Sequence, residues 1–220
     1  MALKCLSGIK TIFKTKNPVI IFPASGTGAW EAALVNTLND GDIVLMVETG
    51  HFASLWNNLA LKLGLQVELL KTDWRQGLDP NEIEKRLRLD ADKKIKAVCI
   101  VHNETSTGCT SDVKAVREIL DNLNHDALLM VDSISGLASI NYEHDEWGVD
   151  ITISGSQKGL MLPPGLSFNA ISEKAIYVSN KSTLKKSYWD WNEHLEFNKT
   201  GFFPYTPATH LLFGLKEAID

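Results

Sequence analysis

Seven short apolar runs, rich in β-branched residues, constrain this chain more than any other feature. They are Val19–Phe22, Ile43–Val47, Val67–Leu70, Ala97–Val101, Leu128–Val131, Ile151–Ile153 and Ser167–Ile171. The runs are continuous rather than alternating, so the strands they predict are covered on both faces. Apolar residues at helical spacing in 28–38, 52–63, 81–89 and 113–123 supply the covering layers. The alternation of strand and helix predicts an α/β fold: a mainly parallel seven-stranded sheet sandwiched by helices, wound by right-handed crossovers. At 220 residues the chain is long enough to bury one large core.

Composition excludes several function classes. A net charge of −5, with no basic cluster interleaved with aromatics, argues against nucleic acid. No apolar run approaches the length needed to span a bilayer. Cys5, Cys99 and Cys109 have neither C-x-x-C nor metal-ligand spacing, and the six histidines are scattered, so no metal site is expected. Unpaired cysteines fit a reducing compartment. The segment Met1–Lys16 is basic, amphipathic and free of acids, a composition shared with transit peptides. Its Leu3, Leu6, Ile9, Ile12 and Phe13 fall at helical spacing, and a folded helix is the reading adopted.

Chemistry concentrates where strands end, as it does in open α/β sheets. Lys158, in Ser156-Gln-Lys-Gly159, follows the run 150–154, and Asp132 closes the run 128–131. A lysine amine can form a Schiff base with an aldehyde cofactor, and a buried aspartate can keep that cofactor's ring nitrogen protonated; pyridoxal phosphate chemistry needs this pair. A lone buried carboxylate is costly, so Asp132 is expected to have a partner. After Val19–Phe22 comes Pro23-Ala-Ser-Gly-Thr-Gly28, opening into a helix. Its small residues and free amides suit a phosphate, although alone it reads as an ordinary helix cap. Glu48-Thr-Gly-His-Phe52 sets an aromatic at a helix start, able to stack on a ring or simply to pack. His102-Asn-Glu-Thr-Ser-Thr-Gly108 crowds small donors at a strand end. Beyond Ile171, the stretch Lys181–Lys186 reads as a solvated face. Tyr188-Trp-Asp-Trp191 and Phe202-Phe-Pro-Tyr205 read as core or subunit interface.

Taken in order, Ser25-Gly-Thr-Gly-Ala-Trp-Glu-Ala-Ala-Leu-Val-Asn-Thr-Leu38, Glu48–Phe52, Val101–Gly108, Asp145-Glu-Trp-Gly-Val-Asp150, Ser154–Lys158 and Pro204-Tyr-Thr-Pro207 resemble the serine–glyoxylate and alanine–glyoxylate aminotransferases. These are class-V, pyridoxal 5'-phosphate enzymes of the aspartate aminotransferase fold. The resemblance runs through almost the whole chain and leans to the serine–glyoxylate branch. It implies that Lys158 is the Schiff-base lysine and Asp132 the partner of the pyridine nitrogen. It further implies that Phe52 stacks on the ring, that Ser25, Gly26 and Thr27 cradle the phosphate with help from Gln157, and that Thr105 sits near the ring's oxygen substituent. Thr206 would reach the cofactor of a neighbouring subunit, in a homodimer with shared active sites. The implied reaction moves the amino group of serine, or alanine, to glyoxylate.

Members of that family are about twice as long. The resemblance therefore implies a pyridoxal phosphate-binding large domain over 1–220, truncated at both ends, with the small C-terminal domain absent. An arginine that grips the substrate carboxylate belongs to that small domain; Arg75, Arg86, Arg88 and Arg117 match no such position. Two alternatives remain open at this stage: ureidoglycine or another amino donor, and a non-catalytic cofactor-binding or dimerisation module. Cysteine desulfurases, which carry histidine where this chain has Gln157, fit less well. The expected compartment is the cytoplasm, or the peroxisome for a eukaryotic source.

Overall fold

A computed structural model describes residues 1–220. In chain order the elements are α1 (Ala2–Phe13), β1 (Val19–Phe22), α2 (Gly26–Thr37), β2 (Ile43–Glu48), α3 (His51–Lys62), β3 (Gln66–Lys71), α4 (Pro80–Leu89) and β4 (Ile95–Val101). There follow α5 (Val113–Asn122), β5 (Leu128–Asp132), β6 (Ile151–Gly155), β7 (Ser167–Ile171), α6 (Glu173–Ser179), α7 (Trp191–Asn198) and α8 (Thr209–Ile219). All seven expected strands form one sheet, in the order β1-β7-β6-β5-β4-β2-β3. Strands β6, β5, β4, β2 and β3 are mutually parallel. Strand β7 runs antiparallel to both β6 and β1.

Successive side chains on each strand enter opposite layers, which is why the apolar runs are unbroken. Val44, Met46, Cys99, Leu128, Met130 and Ile153 pack on one face against Trp30 of α2, Trp56 of α3 and Trp191 of α7. Leu45, Val47, Val98, Ile100, Leu129 and Val131 pack on the other against Ile9 of α1, Ile83 of α4, Val116 of α5 and Leu212 of α8. Each such side chain, fully buried, contributes about 1.5–3 kcal/mol before conformational entropy is charged against it. The exception is β3, which pairs only with β2 and is half-exposed along its length. Its run 67–70 had suggested burial on both faces; an edge position covers it less.

Two features place a ligand site. The chain passes from β2 to β3 on one side and returns to β4 on the other, so the loops following β2 and β4 diverge. A crevice opens at such a switch point, beyond the carboxyl ends of the strands. Second, α2 begins at Gly26, two residues before the expected start, so Gly26 and Thr27 form its first turn. Helices α6 and α7 lie in the tail where no helix was expected. Each starts on its own side-chain cap, Ser172 and Asp190. Much of the aromatic tail is core: Trp191 is fully buried and donates its indole N–H to Asn169 Oδ1 at 3.2 Å. Phe202, in contrast, is exposed.

Candidate active site

A cavity of about 200 Å³ lies at the switch point. Eight of the nine residues singled out from the sequence line it: Ser25, Gly26, Thr27, Phe52, Thr105, Asp132, Gln157 and Lys158. The ninth, Thr206, is exposed and lies outside this cavity. Arg75, Arg86, Arg88 and Arg117 are also absent from its lining. Arg86 pairs with Glu68, Arg88 with Glu84, and Arg117 with Asp121 and Asp150.

The lysine-bearing loop is held firmly. Ser156 donates its hydroxyl to the Pro163 carbonyl at 2.8 Å and accepts from the Leu166 amide at 3.2 Å. Its own amide bonds the Leu166 carbonyl at 2.9 Å. Gly159 lets the loop pass close to residues 137–139, because a Cβ there would collide with the Leu137 carbonyl oxygen. Lys158 is consequently fixed at the cavity wall, half-buried.

Asp132 ends β5 and is only 3% exposed. Its partners were not legible in the sequence. Trp30 Nε1 donates to Oδ2 at 2.8 Å, and the Ile134 amide donates to Oδ1 at 2.7 Å. Burial pushes the carboxyl up to about 7; those two donors and the charge of Lys158 pull the other way, while nearby Glu104 adds to the rise. A carboxylate poised in this way gains most from a cation placed beside it. Trp30 is itself held against Trp56, ring centroids 5.9 Å apart and nearly parallel.

At the opposite wall the N-terminus of α2 points inward. Ser25 occupies the cap position, yet its hydroxyl makes no capping bond. The amides of Gly26 and Thr27 have no intrahelical acceptor, as expected for the first turn of a helix. Gln157 Oε1 is buried without a hydrogen-bond partner. An anion would satisfy the free amides and the positive end of the helix dipole. The loop after β4 supplies Thr105, whose hydroxyl contacts that of Ser135, and Asn103, whose amide donates to Thr110 Oγ1 at 3.0 Å. Asn103, Ile134, Ser135 and Trp30 line the cavity without having been singled out. For Trp30 the sequence signal was its place one turn into the helix that follows Ser25; for Ser135 it was proximity to Asp132.

The donor set fits one group well. Free amides and a hydroxyl suit a phosphate, a cation-seeking carboxylate suits a protonated ring nitrogen, an amine suits an aldehyde, and Phe52 offers a flat apolar surface. These are the features of pyridoxal phosphate.

Comparison with known proteins agrees. The Aminotransferase class-V family profile matches residues 4–219. A serine–glyoxylate aminotransferase of Arabidopsis thaliana is 44% identical over 217 residues, covering 98% of this chain and 54% of that protein. One from Methylorubrum extorquens is 46% identical over 215 residues, covering 96% and 54%. The crystal structure of an alanine–glyoxylate aminotransferase from Nostoc sp. superposes with a TM-score of 0.91 at 28% identity, covering 99% of this chain and 58% of that one. The chain thus spans about half the length of the curated relatives it matches. With its fold, its cavity and its sequence in agreement, this chain belongs to the class-V aminotransferases, a pyridoxal phosphate-dependent family.

Proposed function

We propose that this chain is the cofactor-binding domain of an aminotransferase that moves the amino group of serine, or alanine, to glyoxylate. The products are glycine and hydroxypyruvate, or pyruvate. One observation carries the reading: Lys158 and Asp132 meet in one cavity closed at its far wall by the open N-terminus of α2. When bound, pyridoxal phosphate supplies an aldehyde carbon for amines and a ring that accepts an electron pair.

Each residue then has a distinct task. Lys158 would hold the cofactor's aldehyde, and its Nζ would be free once an amino acid had taken that place. That Nζ would then be placed to move a proton to and from the substrate's α-carbon. Asp132, fixed by Trp30 and Ile134, keeps a proton on the ring nitrogen. Ser25, Gly26, Thr27 and Gln157 bind the phosphate, Phe52 packs on the ring and excludes water, and Thr105 bonds the ring's oxygen. The serine–glyoxylate names of the two relatives support the choice of donor and acceptor.

The dimer belongs to the same proposal. Thr206 is exposed and sits off its own cavity, which suits a role at the site of a second copy. Met161, 91% exposed just beyond the lysine loop, suits burial by that copy. Sedimentation of the chain loaded with cofactor should give a dimer, and Thr206→Ala should weaken cofactor retention; a monomer that retains cofactor fully would refute this part.

The transfer itself is tested by adding L-serine to the cofactor-loaded chain. The expected outcome is bleaching of the visible band with release of one hydroxypyruvate per site, reversed by glyoxylate with formation of glycine. A band that neither serine nor alanine alters would show that this chain binds cofactor without transferring amino groups.

A further inference from the structure

Helix α3 begins without a cap of its own: Gly50 stands at the cap position and has no side chain. Its first amides are nevertheless all met, by a segment more than fifty residues away. The His51 amide donates to Ser106 Oγ at 2.9 Å. The Phe52 amide donates to Glu104 Oε1 at 3.3 Å, and the Ala53 amide to Glu104 Oε2 at 3.1 Å. Glu104 Oε1 also accepts from the Ser106 amide at 3.0 Å and from its hydroxyl at 2.8 Å. Glu104 is fully buried, and no lysine, arginine or histidine pairs with it. Gly50 is required for the approach, since a Cβ there would collide with the Glu104 side chain.

We infer that Glu104 is a positioning residue of the site, a cap supplied by a distant segment of the same chain that locks the start of α3 to the loop after β4. One wall of the cavity carries Phe52, the residue after the first capped amide, and another carries Thr105, the residue after Glu104. A single carboxylate therefore sets the separation between the ring that packs on the cofactor and the hydroxyl that bonds its oxygen. Four donors and the positive end of α3 hold the carboxylate, so its charge does not need a cation. The price of removing it is several buried donors left without acceptors at once. The positioning role rests on the pyridoxal phosphate reading; the cap itself does not.

The test compares the unmodified 220-residue chain with Glu104→Ala and Glu104→Gln in two arms. Without cofactor, amide exchange at Phe52, Ala53 and Ser106 should quicken about tenfold in the alanine variant, and less in the glutamine variant, which keeps one acceptor oxygen. Amides of β4, β5 and β6 should hold their rates. With pyridoxal phosphate, the alanine variant should bind about tenfold more weakly and lose visible circular dichroism per bound cofactor, with partial recovery in the glutamine variant. Exchange at the wild-type rate, or unchanged affinity and dichroism, would overturn the inference. If the unmodified chain itself forms no visible band, the cofactor reading fails alone, and the exchange arm still decides the cap. Should the alanine variant not fold, the glutamine variant carries both arms.

Discussion

Two buried aspartates on neighbouring strands are treated in opposite ways. Asp150, at the entry to β6, accepts from the Leu129 amide at 2.8 Å and the Ser172 hydroxyl at 3.1 Å. Arg117 and Lys174 both lie 3.6 Å from it. Asp132, at the exit of β5, has two neutral donors and makes no ion pair, although Lys158 shares its cavity. The helix starts repeat the contrast. Asp79, Asp112, Ser172 and Asp190 each cap their own helix, whereas Ser25 leaves the start of α2 open toward the cavity. In these two comparisons the scaffold groups, Asp150 and the four capped helix starts, are satisfied within the chain, while Asp132 and the start of α2 face the cavity with less. Scaffold stability and site chemistry therefore separate by residue, and substitutions can be chosen to move one without the other.

The largest expected effect is at Lys158. Lys158→Ala should abolish the visible band and all amino transfer, while the thermal midpoint of the cofactor-free chain stays close to that of the parent. A band surviving in that variant would remove Lys158 from the centre of the account. The two aspartates come next. Asp132→Ala should weaken cofactor retention by about 10²–10⁴-fold, the equivalent of roughly 3–5 kcal/mol for breaking a buried pair. Asp150→Ala should instead lower the unfolding free energy by about 3 kcal/mol and leave the affinity of the folded chain unchanged. Equal effects of the two on both readouts would erase the contrast.

How much of this was legible in the sequence follows the range of the interactions. The strands were readable because each carries its own unbroken apolar run, and Asp132 and Lys158 because each follows one. The exposure of β3 was hidden, since an edge and a centre strand share composition and differ only in neighbours. The antiparallel β7 was hidden for the same reason. Trp30 meets Asp132 across 102 residues, and Glu104 meets Ala53 across 51. Neither pairing leaves a local pattern. Helices α6 and α7 flank the basic and aromatic stretch and are only seven and eight residues long, too short to leave a clear helical period.

Titration sharpens the contrast further. Asp132 in the cofactor-free chain should titrate near pH 7 by carboxyl carbon NMR, against about 3.8 when unfolded. A carboxyl raised in the folded state binds its proton more tightly there. The stability it contributes is full below pH 4 and lost as pH climbs through 7, an effect on the order of 4 kcal/mol. His102 and His144, lowered by burial to about 4, act with the opposite sign: their contribution is intact above pH 6.5 and lost as pH falls through 4. Cofactor should move the Asp132 midpoint sharply downward and leave both histidines in place. A midpoint near 4 without cofactor would mean that burial does not raise the Asp132 carboxyl, and the contrast would fail there.

The smallest effects belong to the helix caps. Asp112→Ala should cost about 1 kcal/mol of stability with cofactor affinity unchanged. Ser25→Ala should leave stability within about 0.5 kcal/mol and weaken cofactor binding several-fold.

The most direct test of the central claim is to load the chain with pyridoxal phosphate, reduce it with borohydride and map the modified peptide. The account predicts one stoichiometric adduct, on Lys158, that a free-phosphate competitor suppresses. An adduct spread over surface lysines such as Lys62 and Lys199, or absent altogether, would contradict it.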